Sequence, residues 1–362
     1  MLMITDPSGL IILISSLIMY LSIYIMLSVS TNIEYGFTGI PNLGKTLFYF
    51  MGAIVAARIV ILVYDPIIGA VNPFDAKTAV MRTSYAIQNP PLTISIFILT
   101  TILAIIISGV LGYLASYPAI SLREDFLAIT LLIFGEAMRI FVRTYEPIVG
   151  GVFGISGIPG PLIWFEPKPL ASLIYSSICM IIAVIVFLLL ESFLNSPLGR
   201  VLKAVRDDDL VASVFGKDPI KVRALVLTIG SGIAGLAGAL YTFYSQAVFP
   251  DDFVPPFTFF ILAMVLLGGV GNNVGTVVGA VLLSLFERFS QASMLELLGI
   301  RIGFDISYFR YMMIGLLIIL VLMFRSQGMI PEKPVKTPLY EILLRRFNTG
   351  TKRQEKVNEN NI

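Results

Sequence analysis

Residues 7–33 read PSGLIILISSLIMYLSIYIMLSVSTNI, a run of 27 positions without a charged side chain. A helix rises about 1.5 Å per residue, so roughly 20 apolar residues cross the ~30 Å hydrocarbon core of a bilayer. The run is therefore long enough to cross a membrane once. It follows the acidic Asp6 rather than basic residues, and it is longer than the apolar region of a cleavable signal peptide. We interpret it as the first transmembrane span.

Similar runs recur along the chain. Four further uncharged runs are long enough for one span or, in the last case, two: residues 83–122, 170–190, 224–250 and 253–286. The last run is interrupted by the glycine-rich sequence GGVGNN at 268–273. Three shorter or interrupted candidates are residues 46–64, 126–141 and 306–324. The pattern predicts an all-α integral membrane protein, a polytopic bundle of about nine (eight to ten) transmembrane helices with glycine-broken segments.

The composition supports a membrane location. Hydrophobic residues make up 57% of the 362 positions, charged residues only 13%, and the mean hydropathy is +0.89. Soluble domains carry roughly 25% charged residues. A water-soluble fold of this chain would expose far more apolar surface than soluble monomers tolerate, so the composition excludes that class.

Histidine is absent from the sequence, and Cys179 is the only cysteine. These counts exclude histidine-based acid–base catalysis, Cys/His zinc sites and internal disulfides. Cys179 lies among apolar neighbours and is interpreted as a packing residue. We expect no catalytic centre, no metal and no cofactor in this chain.

The basic residues indicate the orientation of the spans. With nine spans and a cytoplasmic C-terminus, fifteen of the 25 Lys and Arg residues fall in cytoplasmic segments and four in outer segments. This bias follows the positive-inside rule and places residues 196–223 and the C-terminus in the cytoplasm. We expect a transmembrane domain over residues 1–330, with a cytoplasmic loop at 195–223, and a cytoplasmic tail over 331–362. The tail is either a short helix on the membrane surface or a solvated segment.

Residues 195–216 read NSPLGRVLKAVRDDDLVASVFG and predict one amphipathic helix. Asn195 or Ser196 is the expected N-cap, Pro197 lies in the first turn, and Gly216 is the expected left-handed stop. Apolar residues recur at three- and four-residue spacing, with charged residues on the opposite face. Such a helix either lies on the membrane surface or fits a groove on a soluble partner.

This loop resembles the cytoplasmic coupling loop of ABC importer permeases of the branched-chain amino acid type (LivM-like). The matching positions, which the resemblance assigns to ATPase coupling, are Gly199, Arg200, Ala204, Arg206, Asp208, Ala212 and Gly216. Four further blocks resemble the family in the same order: LREDFLAIT at 122–130, FGExxR at 134–139, AGLAGALY at 234–241, and PDxF at 250–253 followed by LGGVGN at 267–272. Together the blocks cover roughly residues 35–325.

The resemblance implies a transporter subunit rather than an enzyme. It would move branched-chain or other amino acids across the cell membrane by alternating access. The implied partners are two cytoplasmic ATPase subunits, a homologous permease, an extracellular or periplasmic binding protein and membrane lipid, with no nucleic acid. The alternatives are a permease of the same family for urea, short amides or another small polar solute, an ion-coupled carrier, and an intramembrane enzyme.

Residues 39–46, GIPNLGKT, match the P-loop pattern G-x-x-x-x-G-K-[ST]. A P-loop follows a strand in an α/β domain, whereas this segment follows a membrane span, so we do not predict nucleotide binding. The resembling permeases usually have Ser-Leu-Gly-His where this chain has residues 42–45, so Lys45 departs from the family. We expect its side chain to reach an interface or a water-filled cavity, or to extend toward the membrane surface.

Candidate pathway residues are those that break helices or carry charge within the membrane. Unwound backbone in mid-membrane offers both donors and acceptors to a zwitterionic amino acid. The candidates are Gly36, Gly39, Asn42, Gly44, Lys45, Glu136, Arg139, Gly268, Gly269, Gly271 and Asn272. Glu136, Arg139 and Arg143 are spaced to meet on one helix face, although a Glu–Arg pair is also a common structural solution. Helix packing is the alternative role for the glycines, and it is the predicted one for Gly230, Gly232, Gly235 and Gly238.

Overall fold

The structure is a computed structural model of the full chain. It describes residues 7–121 and 124–290, together with 312–313, 315–316, 319–320, 323 and 327–332. Residues 1–331 belong to one compact unit, and residues 332–362 form a second, of which only Glu332 is described. Most of the predicted span at 306–324 and the predicted tail therefore lie outside the described residues.

Helices dominate the described residues, as the sequence predicts. In chain order they are α1 (Pro7–Thr38), α2 (Lys45–Ile68), α3 (Ala76–Gln88), α4 (Pro90–Ser121), α5 (Glu124–Thr144), α6 (Glu146–Val149), α7 (Lys168–Asn195), α8 (Pro197–Asp207), α9 (Asp209–Val214), α10 (Pro219–Ser245), α11 (Pro256–Gly268) and α12 (Asn273–Phe289). Short 3₁₀ turns lie at Gly151–Phe153 and Pro250–Asp252. Two-residue strands β1 (Ile155–Ser156) and β2 (Ala247–Val248) pair antiparallel, with Ile155 opposite Val248.

The bundle is organised around α10, which packs against α4, α2 and α1. Small residues allow these helices to approach closely. A Cβ on Gly52 would lie 1.9 Å from the carbonyl oxygen of Gly235, and a Cβ on Gly238 would lie 1.9 Å from that of Tyr49. Gly235 in turn packs against Ser108 of α4. The predicted packing role of these glycines is confirmed at Gly235 and Gly238.

The close crossing of α2 and α10 predicts a difference between two glycine substitutions. Gly52→Ala should lower the free energy of unfolding by about 1–3 kcal/mol, because the added methyl meets backbone that cannot move aside. Gly109→Ala should be neutral or slightly stabilising, because its Cβ would be 3.4 Å from the nearest atom and alanine favours a helix. Unfolding titrations with SDS in mixed micelles measure both. Equal losses for the two variants would contradict this packing.

Lipid is the natural neighbour of the outer helices. Most of α2 and α10 is buried, whereas only about a third of α4 and α7 is buried, and their exposed side chains include Ile98, Ile106, Leu188 and Leu189. Six helices among the described residues are long and apolar enough to cross a membrane. The chain is thus a multi-pass membrane protein, and the count of about nine spans remains a prediction.

One predicted run is divided in the structure. Residues 83–122 were interpreted as part of a single span, yet residues 83–88 belong to α3 and the long helix α4 begins only at Pro90. Proline disfavours the helical conformation in the residue before it and suits the first helical position. The Pro90–Pro91 pair therefore starts a new helix at a position where hydropathy alone shows no boundary.

The bundle has two distinct ends. At the α8 end lie α8 and α9, the end of α1, the last turn of α7 and the start of α10. At the β end lie α3, residues 145–167, β1 and β2. A buried ion pair stabilises the β end. Arg82 is fully buried, and its Nη2 donates to Asp65 Oδ2 at 2.9 Å. Pairing of this arginine through two nitrogens joins α3 to the end of α2.

Candidate functional site

Two interruptions of the membrane helices lie inside the bundle, and the end of α1, directly before the first, packs against the second. The first break is residues 39–44, between α1 and α2, and the second break is residues 269–272, between α11 and α12. The N–H of Gly271 donates to Asn32 Oδ1 at 3.0 Å. A Cβ on Gly36 would lie 2.5 Å from the nitrogen of Gly271, so glycine at position 36 permits this approach. The structure thus joins two regions that the sequence indicated separately.

The first break is held by local hydrogen bonds and close packing. Gly39 has φ +76°, a conformation that favours glycine. Asn42 Oδ1 accepts a hydrogen bond from the N–H of Gly44 at 3.0 Å. A Cβ on Gly44 would lie 2.6 Å from the carbonyl oxygen of Leu131, so this residue packs tightly against α5.

The second break uses glycine in the same way. Gly269 has φ +128° and Gly271 has φ +75°, values that side chains other than glycine rarely adopt. A Cβ on Gly268 would lie 2.1 Å from the carbonyl oxygen of Gly275. The Asn272 side chain starts α12 by accepting from the N–H of Gly275 at 3.2 Å, and it donates to the carbonyl of Pro331 at 3.0 Å.

A fully buried ion pair lies beside the first break. Lys45 Nζ donates to Glu34 Oε1 at 2.9 Å and to the carbonyl oxygen of Gly230 at 3.0 Å. Asn42 Nδ2 donates to the other Glu34 oxygen at 3.1 Å. Both charged side chains are 0% exposed, and a Cβ on Gly230 would lie 2.0 Å from Glu34 Oε1. Charges held in this way are paired and hydrogen-bonded, as burial requires.

The pair lies well inside the bundle. Gly230 is eleven residues beyond Pro219, so it is about 16 Å along α10. The Lys45 side chain therefore lies at the interface between helices α1, α2 and α10, the first of the three positions expected from sequence, rather than in an open cavity or at the membrane surface. The carboxylate of Glu34 accounts for this position, because it gives the ammonium a buried partner. The segment also follows a helix rather than a strand, which is not the setting of a P-loop.

A second network of polar side chains connects the end of α1 and the start of α12 to α7. Asn32 Nδ2 donates to Asn273 Oδ1 at 2.8 Å, and Asn273 Nδ2 donates to Glu191 Oε2 at 3.1 Å. These hydrogen bonds join α1, α12 and the last turn of α7, which lies directly before α8. Intramembrane polar groups are costly unless satisfied, so this arrangement couples the positions of the three helices.

Helix α8 contacts the end of α1 beside the first break. Arg206 Nη1 donates to the carbonyl oxygen of Gly36 at 2.5 Å. The ammonium of Lys203 lies 5.2 Å from the centre of the Phe37 ring, within the range of a cation–π contact. A displacement of α8 would therefore act directly on the backbone that packs against Gly271.

The single amphipathic helix predicted over residues 197–216 is two helices in the structure, and that prediction was wrong. Helix α8 ends at Asp207, and the Asp208 side chain starts α9 by accepting from the N–H groups of Leu210 and Val211 at 2.9 and 3.0 Å. Aspartate at this position competes with helix continuation by capping a new one. Ser196 caps α8 by accepting from the N–H of Leu198 at 3.2 Å.

The remaining coupling candidates lie on different faces of these helices. Gly199 is buried against the end of α7, where its Cβ would lie 1.8 Å from the carbonyl oxygen of Leu194. Ala212 is also buried, whereas Arg200 and Ala204 are exposed. Gly216 ends the segment with φ +74°, the predicted left-handed stop.

Glu136 and Arg139 form a separate cluster, toward the β end of α5. Arg139 binds both oxygens of Glu136, at 2.9 and 2.6 Å, and donates through Nη1 to Asp251 Oδ1 at 2.7 Å. Arg143 pairs with Asp251 at 3.5 Å. The three α5 residues do share a face, as predicted, but Asp251 links the two arginines. This cluster ties α5 to the 3₁₀ turn before α11.

Sequence reasoning missed four residues of the buried networks: Asn32, Glu34, Glu191 and Asn273. Glu34 was taken as the end of the first uncharged run, although α1 continues to Thr38. A carboxylate in the membrane with a lysine eleven residues later was the available signal. The asparagines carried no comparable signal, since their partners lie on distant helices.

Comparisons with known proteins agree with this architecture. The family of permease components of branched-chain amino acid transport systems matches residues 13–322. The chain is 35% identical, over 90% of its length and 95% of the relative's, to a probable branched-chain amino acid transport permease protein LivM of Methanocaldococcus jannaschii. It is 26% identical to the high-affinity LivM of Salmonella typhimurium, over 85% of this chain and 68% of the relative.

A more distant similarity extends to a second permease type. The chain is 26% identical to LivH of Salmonella typhimurium over 196 residues, which are 52% of this chain and 63% of the relative. No solved structure matches the chain. The match to the family over most of the sequence, on a bundle of apolar helices broken at glycines, shows that the chain belongs to the branched-chain amino acid permease family of ABC importers.

Proposed function

We propose that this chain forms one half of the membrane pore of an ATP-driven importer of branched-chain amino acids. As a permease it is a transporter subunit, and ATP hydrolysis belongs to separate ATPase subunits. The proposed partners are two cytoplasmic ATPase subunits, a homologous permease and a substrate-binding protein on the outer side. The names of the relatives favour amino acids over urea or short amides.

The single observation that carries the proposal is the contact between α8 and the end of α1, directly before the first break. An ATPase can drive a pore only if its movement reaches membrane-buried structure. Arg206 provides that route, because it holds the carbonyl of Gly36, whose neighbour across the bundle is Gly271. We infer that α8 and α9 carry ATPase movement to the two breaks, and that the breaks line the substrate pathway.

Helix α9 offers a surface for such a partner. Its apolar residues Leu210 and Val214, with Phe215 directly after the helix, are between 77% and 84% exposed. Exposed apolar groups of this kind mark interaction sites. The Asp209–Arg223 salt bridge fixes α9 to α10, so the surface is held in a defined position.

The second permease and the orientation rest on further observations. The LivM and LivH permease proteins of Salmonella typhimurium both resemble this chain, which supports a partner permease with a related fold. Basic residues are concentrated in 196–223 and after 325, which supports a cytoplasmic location for the α8 end and the C-terminus.

Phe215→Asp is expected to weaken ATPase association by at least about tenfold, equivalent to about 1.4 kcal/mol. The reason is that a carboxylate would enter the apolar contact between α9 and the ATPase. The measurement is the amount of ATPase subunit that co-purifies with the permease in mild detergent. Phe153→Asp is the matched control, since Phe153 is 88% exposed at the β end; loss of the ATPase in both variants, or in neither, would contradict docking at α9.

A further inference from the structure

A second candidate site lies away from the ion pair and the breaks. A partly open cavity of about 160 Å³ lies between α1, α2, α10, α11, α12 and the 3₁₀ turn Pro250–Asp252. Its walls carry five aromatic rings, from Tyr20, Tyr24, Tyr49, Tyr241 and Phe257. One water needs about 10–15 Å³ of such space, so the cavity has room for several waters or for a small solute.

The aromatic rings form a continuous wall. Tyr49 stacks on Phe257 with 5.3 Å between ring centres, and Tyr24 lies 6.0 Å from the same ring. Tyr241 lies 6.0 Å from Tyr49 and 6.2 Å from Tyr20. Such a wall provides apolar contact area together with ring faces that attract a cation.

Charged groups of both signs border the cavity. Asp252 and Glu287 belong to its lining, and Glu287 accepts a hydrogen bond from the Tyr24 hydroxyl at 2.5 Å. The guanidinium of Arg288 lies 3.6 Å from the centre of the Tyr20 ring. Asp252 is exposed, so it marks the rim of the cavity. Two carboxylates thus line the cavity, and a guanidinium lies beside it on the Tyr20 ring.

The hydroxyl of Tyr49 is a further polar group in the wall. Among the described residues no hydrogen bond is made by this hydroxyl, in contrast to that of Tyr24. Although Tyr49 as a residue is only 4% exposed, its hydroxyl is not one of the buried polar atoms without a partner, so it is accessible from the cavity. A solute in the cavity can therefore accept a hydrogen bond from it.

We propose that this cavity binds the zwitterion of a small aliphatic amino acid during transport. The ammonium would lie near Glu287 and the ring faces, the carboxylate would accept from Tyr49 and face Arg288, and the side chain would pack on Phe257. The inference rests on the proposed function and names an intramembrane substrate site for it.

Thiol labelling tests occupancy of the cavity directly. Cys179 is the only cysteine and is buried, so Ile23→Cys, which places a thiol in the cavity wall, can be labelled selectively in membranes containing the complete transporter. Leucine is expected to slow labelling by about tenfold or more. Isoamylamine, which lacks the carboxylate, and 4-methylpentanoate, which lacks the ammonium, should protect much less. Equal protection by all three, or none by leucine, would overturn the proposal.

Two conservative variants test the site through transport. Glu287→Gln and Tyr49→Phe should each raise the KM for leucine uptake roughly tenfold or more, since bonds to charged groups are lost. Glu146→Gln and Tyr145→Phe are matched changes at the β end and should leave KM unchanged. ATP-dependent uptake with wild-type KM in both cavity variants would overturn the cavity site alone. Uptake that does not depend on ATP would instead overturn the proposed function.

Discussion

Lys45→Met is expected to lower the free energy of unfolding by about 3–5 kcal/mol and to abolish leucine uptake. The substitution removes the cation from the fully buried Glu34 and leaves its carboxylate without its main partner. It also frees the carbonyl of Gly230, which accepts from the same ammonium. SDS titrations of the purified protein measure the stability, and uptake into vesicles measures the function.

A matched ion pair provides the control. Lys168 pairs with Glu166 at 3.1 Å, but the two side chains are 53% and 70% exposed. Lys168→Met should therefore cost less than about 1 kcal/mol. Adding Glu34→Gln to Lys45→Met removes the unpaired charge and should recover at least about half of the lost stability. A loss for Lys45→Met no larger than that for Lys168→Met would contradict a buried ion pair.

Arg206→Ala is expected to reduce ATP-driven leucine uptake by at least about tenfold. The substitution removes the hydrogen bond from α8 to the carbonyl of Gly36 while leaving the exposed apolar residues of α9 unchanged. ATPase subunits should therefore still co-purify, and their ATP hydrolysis should no longer be matched by transport. Uptake and hydrolysis are measured together on the same vesicles.

Lys217→Ala serves as the control for Arg206→Ala. Lys217 is an exposed cation in the same loop, so its loss changes the charge of the loop without touching Gly36. Normal uptake in Arg206→Ala, or an equal loss in Lys217→Ala, would show that the contact between α8 and the end of α1 does not transmit the ATPase movement.

Hydropathy predicted the helical fold because a bilayer imposes one simple requirement. A run such as residues 7–33 must form a helix, because lipid offers its backbone N–H and C=O groups no hydrogen bonds and a helix satisfies them within the segment. Helix ends were harder to predict. Glu34 ended the uncharged run, but α1 continues through it because Lys45 supplies the compensating charge. At Pro90 the error was opposite, since the prolines divide a run that hydropathy treats as continuous.

The candidate site was predicted in parts but not as an assembly. Glycine-rich segments in or beside a predicted span indicated both breaks, and the amphipathic pattern of the cytoplasmic loop indicated α8. The contacts of Gly36 with Gly271 and Arg206 join elements more than 160 residues apart in sequence, and nothing in one sequence specifies such a pairing. Prediction also failed locally at Asp208. The apolar periodicity of residues 197–216 continues through this position, although the Asp208 side chain starts a new helix there.

Leucine uptake by the complex isolated from native membrane in mild detergent and reconstituted into vesicles tests the central claim most directly. The chain is expected to carry its ATPase subunits with it, and uptake should stop when ATP is replaced by a non-hydrolysable analogue and persist when ionophores collapse the proton and sodium gradients. Recovery of the chain without ATPase subunits, with uptake that follows an ion gradient and ignores ATP, would contradict the proposed importer.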